Sequence, residues 1–164
     1  MTASDDLVHL LIERRLTIAV AESLTGGMLV SELVSTPGAS AAVLGGVVAY
    51  NTELKHSMLG VDSAVINVHG VVHPDVAAQM AVHVRELLAV GGLPADIGVS
   101  TTGVAGPEPQ DGQPVGTVFV GVSLAGDVRV VQLDLSGDRE SIRRQVVDRA
   151  IDEVLARLSE DAGA

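Results

Sequence analysis

Two rhythms of apolar and polar positions run along this chain, one at the helical repeat and one in short strand-like blocks. Residues 5–15 carry apolar positions at helical spacing and finish on two arginines, which predicts a first helix. Leu16-Thr-Ile-Ala-Val-Ala21 is a short apolar block with β-branched members, the mark of a buried strand. Thr25 to Ser35 returns to the helical repeat and stops at Thr36-Pro37-Gly38. Gly45 to Ala49 predicts another strand, and Asn51 is placed to cap a short helix over 52–59 that ends at Gly60. Pro74 suits a first helical position, with a long helix running to about Val90 and closed by Gly91-Gly92.

The second half changes character. Asp96-Ile-Gly-Val-Ser-Thr101 is strand-like, and Thr102 to Pro114 is rich in turn residues. Val115–Leu124 and Val128–Leu135 read as two strands joined through Ala125-Gly126-Asp127, a hairpin. From Asp138 a final helix places Ile142, Val146, Ile151 and Val154 near the helical repeat. Helices that alternate with strands, followed by a late hairpin, predict an α/β fold. It is a three-layer α/β/α domain with a mixed, mostly parallel sheet, a single domain over residues 1–164.

Composition narrows the function. Tyr50 and Phe119 are the only large aromatics, so Val, Leu, Ile and Ala must fill the core. No cysteine is present, which removes disulfides, thiolate metal sites and a cysteine nucleophile. The acidic start lacks the features of a signal peptide, and no apolar run approaches the roughly 20 residues that span a bilayer. A cytoplasmic protein without membrane association is expected. The formal net charge of −11 argues against a nucleic-acid partner. An anionic ligand would have to be held locally, by a helix start or by one or two arginines.

Of ten basic residues only Lys55 is a lysine. A desolvated lysine can shed its proton and act as a base, which arginine cannot do. The plain alternative is a lysine on a solvated helix face. A second compact signal, Ala21-Glu-Ser23-Leu-Thr25-Gly26-Gly27, places the Ser23 hydroxyl at a strand-to-helix turn, at the edge of the sheet where α/β proteins bind ligands. Backbone N–H groups around Thr25, Gly26 and Gly27 suit a phosphate or an oxyanion; the plain alternative there is a helix cap. The segment matches neither G-x-S-x-G nor the P-loop pattern. His69 and His73 stand four apart, but Gly70 and Pro74 interrupt any helix between them, so no metal site is expected. Without cysteine, a hydroxyl nucleophile needs a base, and Lys55 is the more attractive partner for Ser23.

Eight segments occur in one order: Ala21–Gly27, Pro37-Gly-Ala-Ser40, Gly45-Gly-Val-Val-Ala-Tyr50-Asn51, Lys55, Leu59-Gly-Val61, Thr102-Gly103-Val-Ala-Gly106-Pro107, Pro114-Val-Gly-Thr-Val118 and Gly137-Asp-Arg139. Together, over about residues 5–158, they resemble the CinA carboxy-terminal domain, the nicotinamide-nucleotide amidohydrolase family. The resemblance implies hydrolysis of the carboxamide of nicotinamide mononucleotide to nicotinate mononucleotide and ammonia, with no metal and no cofactor. On that resemblance Ser23 is the nucleophile and Lys55 the base. Tyr50 and Asn51 are pocket residues, and Thr25, Gly26 and Gly27 form an anion-binding helix start. Gly103 to Pro107, with Gly103 and Gly106, form a second substrate loop, and Arg139 is a late basic position. Either Arg139 or Arg143 is available for a phosphate.

The chain also departs from the family pattern. Glu108-Pro109-Gln110-Asp111-Gly112 replaces a usual short glycine turn, His73 stands where Ser is usual before Pro74, and Leu44 where an aromatic is frequent. The amino-terminal pyrophosphatase domain of many relatives is not expected here. The partner expected is a small-molecule mononucleotide, and a homo-oligomer is expected from the apolar composition. Two other readings stand beside the amidase: a non-catalytic nucleotide-binding or regulatory module, and a competence or repair accessory, which the net charge disfavours.

Overall fold

The computed structural model describes residues 1–163. In chain order the elements are α1 (Ala3–Arg14), β1 (Ile18–Glu22), α2 (Met28–Val34), a single 3-10 turn (Ala39–Ala41), β2 (Val43–Val48), α3 (Thr52–Ser57) and α4 (Ser63–His69). They continue with α5 (Pro74–Leu87), β3 (Ile97–Gly103), β4 (Thr117–Leu124), β5 (Asp127–Asp134) and α6 (Arg139–Asp161). The five strands form one sheet in the order β2-β1-β3-β4-β5. β2, β1 and β3 run parallel, while β4 and β5 are antiparallel additions. The mixed three-layer α/β arrangement is the one the sequence predicts. Among the described residues no helix is long and apolar enough to cross a membrane.

Strand alternation decides which helices cover which face. Ile18 and Val20 of β1, with Val118, Val120 and Val122 of β4, meet Leu7, Leu11, Leu29, Leu33, Ile142 and Val146 from α1, α2 and α6. The opposite face is made of smaller residues. Ala19 and Ala21 of β1 pack with Val76, Met80 and Val84 of α5, and Phe119 packs with Ala77.

The small residues let α5 lie almost on the sheet backbone. A Cβ added to Gly98 would fall 1.9 Å from the Ala81 carbonyl oxygen, and one added to Gly121 would fall 2.6 Å from that of Ala77. In the resulting narrow gap Ser100 Oγ donates to the Ala77 carbonyl (2.6 Å). Nearer the strand end Thr102 Oγ1 donates to the Val71 carbonyl (2.8 Å). Polar groups on an otherwise apolar strand thus fix the height of α5 and of the segment leading into it.

Several boundaries differ from the sequence expectation. α2 begins at Met28 rather than Thr25, because Ser23–Gly27 form a turn in which Gly26 and Gly27 take positive φ. α4 was not anticipated: its seven residues carry no buried side chain, so no apolar stripe announces it. α5 ends at Leu87 and not near Val90, since Val90 and Leu93 pair across a tight Gly91-Gly92 turn. Asn51 caps α3 as expected, accepting from Glu53 N (2.9 Å).

The close approach of α5 gives a stability prediction. Gly98→Ala is expected to destabilise the fold by about 3 kcal/mol, since overpacking meets backbone that cannot yield. Urea unfolding would measure it, and a loss below about 0.5 kcal/mol would show that α5 is not held against β3 as described.

Candidate active site

The chain leaves β1 for α2 and returns to β2 across the face that carries α1 and α6, then crosses from β2 to β3 through α3, α4 and α5 on the other face. Successive connections on opposite faces leave a crevice at the carboxyl ends of the strands, the usual ligand position of such sheets. Ser23 follows β1, Tyr50 follows β2 and Gly103 ends β3, so three expected site residues converge at this edge. There they line a cavity of about 190 Å³ with Leu24, Lys55, Val71, Thr102, Val104–Gly106, Glu108, Gln110 and Arg139.

Ser23 is set by its backbone. Its N–H donates to the Thr101 carbonyl (3.0 Å), which prolongs the β1–β3 ladder by one residue. Thr25 Oγ1 and Thr101 Oγ1 share a hydrogen bond of 2.8 Å beneath it. From the other side Arg143 donates to the carbonyls of Leu24 (Nε, 2.8 Å) and Thr25 (Nη2, 3.3 Å). The turn carrying the hydroxyl is therefore bound at both flanks.

Lys55 is 1% exposed although it sits on a six-residue helix at the surface. Its Nζ donates to the carbonyls of Ala49 (2.8 Å) and Tyr50 (3.2 Å). Burial lowers its pKa to about 8, with the Asp111 carboxylate acting in the opposite direction. Two carbonyls use two positions around the nitrogen. The third, a proton in the ammonium form and a lone pair in the free amine, meets no acceptor among the described residues.

Glu22, next to Ser23, supports the turn and has no role in the sequence reading. It is fully buried, and its carboxylate accepts from the N–H groups of Leu29 (2.8 Å) and Val30 (3.1 Å). A carboxylate at this end complements the helix dipole and takes the donors that an external anion would use. Of the expected anion-binding group, the Gly26 N–H donates to the Ser23 carbonyl (3.1 Å), and Thr25, Gly26 and Gly27 are not among the cavity-lining residues. Nor is Asn51, whose side chain caps α3. Leu24, Ala105 and Gly106 do line the cavity, and their backbone N–H groups meet no acceptor among the described residues.

Arg139, the first residue of α6, closes one side. Its Nη1 donates to the Gly106 carbonyl (2.5 Å) and its Nη2 to Tyr50 Oη (3.0 Å). Beyond it a shallower depression is lined by Met28, Arg139, Glu140, Arg143 and Arg144. His69 and His73 lie apart from the cavity lining and stack with ring centroids 4.2 Å apart. His73 Nδ1 accepts from Asp75 N (3.2 Å), doing for α5 the capping that Ser usually does.

Comparison with known proteins places this arrangement. The model of the CinA C-terminal domain matches residues 1–158. A CinA-like protein from Frankia casuarinae is 45% identical over 153 residues, covering 93% of this chain and 34% of that protein. One from Chlorobaculum tepidum is 44% identical over 168 residues, covering 98% of this chain and 38% of that protein. The chain spans about a third of the length of these curated relatives. Among solved structures, a competence-damaged protein (CinA) superfamily protein from Klebsiella pneumoniae superposes with a TM-score of 0.90 at 29% identity, over 96% of each chain. A competence/damage inducible protein from Agrobacterium tumefaciens superposes at 0.83, also with 29% identity, over 95% of this chain and 96% of that one.

The buried lysine makes stability depend on pH. Below about pH 8 both folded and unfolded chains hold its proton. Between there and the unfolded value of about 10.4 the folded chain has released it and the unfolded chain has not, so folding gains stability as pH rises. By urea unfolding, the stability of wild type relative to Lys55→Met should rise across this window. A flat difference would mean that Lys55 is solvated in the folded protein.

Proposed function

The chain belongs to the CinA C-terminal domain family, and from that membership and the cavity we propose that it hydrolyses the carboxamide of a pyridine mononucleotide, nicotinamide mononucleotide in the first instance. The observation that carries the reading is the single lysine, buried with a depressed pKa on the same cavity as a serine hydroxyl. A general base works best with a pKa near the working pH.

In this reading the free amine of Lys55 takes the proton of Ser23 Oγ as the oxygen attacks the carboxamide carbon. The negative charge gathers on the former carbonyl oxygen, where the unused N–H groups of Leu24, Ala105 and Gly106 are the donors at hand. The donor next to the nucleophile is a recurrent choice for an oxyanion. Collapse of the tetrahedral intermediate breaks the C–N bond, and the leaving nitrogen takes the proton from Lys55 and departs as ammonia. Water, deprotonated in turn by the same amine, attacks the acyl ester, and Lys55 returns the proton to Ser23 Oγ as the ester C–O bond breaks and the carboxylate is released.

The cavity is smaller than the roughly 300–1,000 Å³ typical of sites that enclose a whole ligand. It suits the pyridine end, while the phosphate end extends past Arg139 into the depression that Arg143 and Arg144 line together with Glu140, the ion-pair partner of Arg144. Guanidinium groups there answer the negative charge that the molecule as a whole repels.

A second reading, a nucleotide-binding module without turnover, draws on Glu108, whose position on the cavity wall adds a carboxylate beside an anionic ligand. One assay separates the two. Ammonia release from nicotinamide mononucleotide, with chelator present, should fall by at least about 10³ in Ser23→Ala. In Lys55→Arg, which keeps the charge and loses the base, it should fall by about 10²–10⁴. The wild-type rate should rise with pH through a limb near 8. Tight nucleotide binding by calorimetry with no ammonia from the wild type would remove the amidase reading and leave the binding module.

A further inference from the structure

The Glu108–Gly112 segment, where this chain departs from the family pattern, has an ordered structure of its own. Gln110 and Gln113 pair through both backbone bonds, Gln110 N to Gln113 O (3.1 Å) and Gln113 N to Gln110 O (2.8 Å). Between them Asp111 and Gly112 take φ of +52° and +73°. Two successive residues of positive φ form the tight hairpin turn that Asp-Gly favours.

The turn delivers the Asp111 side chain onto the connection between α4 and α5. A Cβ added to Gly70 would fall 2.3 Å from Asp111 Cγ, so the socket exists because position 70 is glycine, at φ +75°. Asp111 Oδ2 accepts from the N–H groups of Val71 (2.8 Å) and Val72 (3.4 Å). The residue is otherwise exposed, at the rim. Both ends of the contact are cavity wall, since Val71 lines it from one side and Glu108 and Gln110 from the other.

We propose that Asp111 is a positioning residue of the site, a latch whose carboxylate fastens the 108–113 hairpin to the Gly70–Val72 segment and thereby completes the wall that meets the substrate. The proposal rests on the amidase reading for what the wall encloses, but not for the contact itself. Released from the socket, Glu108 and Gln110 would swing away from the cavity, and a ligand would lose contacts made before and during reaction alike. Such a loss raises KM more than it lowers kcat.

The latch also carries a charge. Tyr50, Glu108 and Arg139 share the cavity with Lys55, and Glu53 and His56 share its helix. Asp111 is the group whose charge opposes the effect of burial on the lysine.

Because Lys55 is the only lysine, protein labelled with carbon-13 at lysine Cε gives one signal whose titration reports on this residue alone. Three measurements on Asp111→Ala and Asp111→Asn test the latch. In Asp111→Ala the Val71 amide should exchange with solvent at least about tenfold faster, the effect of losing one charge-assisted hydrogen bond. KM for nicotinamide mononucleotide should rise severalfold more than kcat falls. Asp111→Asn keeps an acceptor, so it should retain most of the exchange protection while the lysine titrates at lower pH. Unchanged Val71 exchange in Asp111→Ala, or faster exchange with unchanged KM, overturns the proposal. So does an unshifted lysine titration in Asp111→Asn, which also decides the matter if Asp111→Ala unfolds. If the wild type releases no ammonia, the calorimetric Kd for the same nucleotide replaces KM. The amidase reading then fails while exchange and affinity still decide the latch.

Discussion

An ammonium group taken out of water has to be repaid in hydrogen bonds and geometry, and the cost is several kcal/mol before that repayment. Lys55 presents this demand on a helix of only six residues. The carbonyls of Ala49 and Tyr50 meet it at the end of β2, where the chain turns away from the sheet and leaves those oxygens without strand partners. Keeping them in place requires the turn at 49–51, which is anchored by Ala49 N on the Glu22 carbonyl (2.9 Å) and by the Asn51 cap. The far end of the helix is held in turn by His56 Nδ1 on the Val61 carbonyl and His83 Nδ1 on that of Leu59. A short element with little burial of its own is thus tied at both ends, and the lysine inherits its position from these ties.

The same logic of backbone anchoring runs through the serine side. Glu22 holds the start of α2, Arg143 holds the carbonyls of the intervening turn, and Thr101 holds the Ser23 amide. None of these groups is offered to the cavity as chemistry. Beside them the N–H groups of the lining residues Leu24, Ala105 and Gly106 have no acceptor, while no buried side-chain nitrogen or oxygen is unsatisfied among the described residues. Free donors beside well-satisfied neighbours are what an oxyanion site needs, because donors fixed beforehand cost no reorganisation when charge develops.

Much of this was legible in the sequence, and what was not has identifiable causes. The alternation of helical and strand-like blocks gave the layers, and the break in rhythm after Thr101 gave the antiparallel pair. Ser23 and Lys55 stand out from the residues alone, and Tyr50, Gly103, Gly106 and Arg139 follow from the family resemblance; all six line one cavity. Thr-Gly-Gly suits a helix entry, but Gly26 and Gly27 take positive φ, so α2 starts only at Met28, with Glu22 accepting from the N–H groups of Leu29 and Val30. A lone carboxylate at the end of an apolar strand was the available signal. α4 has no buried side chain and so no stripe to read. The Asp-Gly turn at 111–112 has a local signature, but its contact with Val71 spans 40 positions, and no local pattern encodes that.

The packing of α5 connects these pieces. Because Gly98 and Gly121 admit its backbone, the segment 70–73 at its start is drawn to the end of β3, where Thr102 Oγ1 takes the Val71 carbonyl. With that carbonyl engaged, the N–H across the same peptide, that of Val72, points the other way, toward the hairpin, and Asp111 accepts from it (3.4 Å) and from the Val71 N–H (2.8 Å). The position of Val71 on the cavity wall therefore follows from two absent side chains in the middle of the sheet. A change that lifted α5 by a fraction of an ångström would reach the site through this one peptide, without touching Ser23 or Lys55.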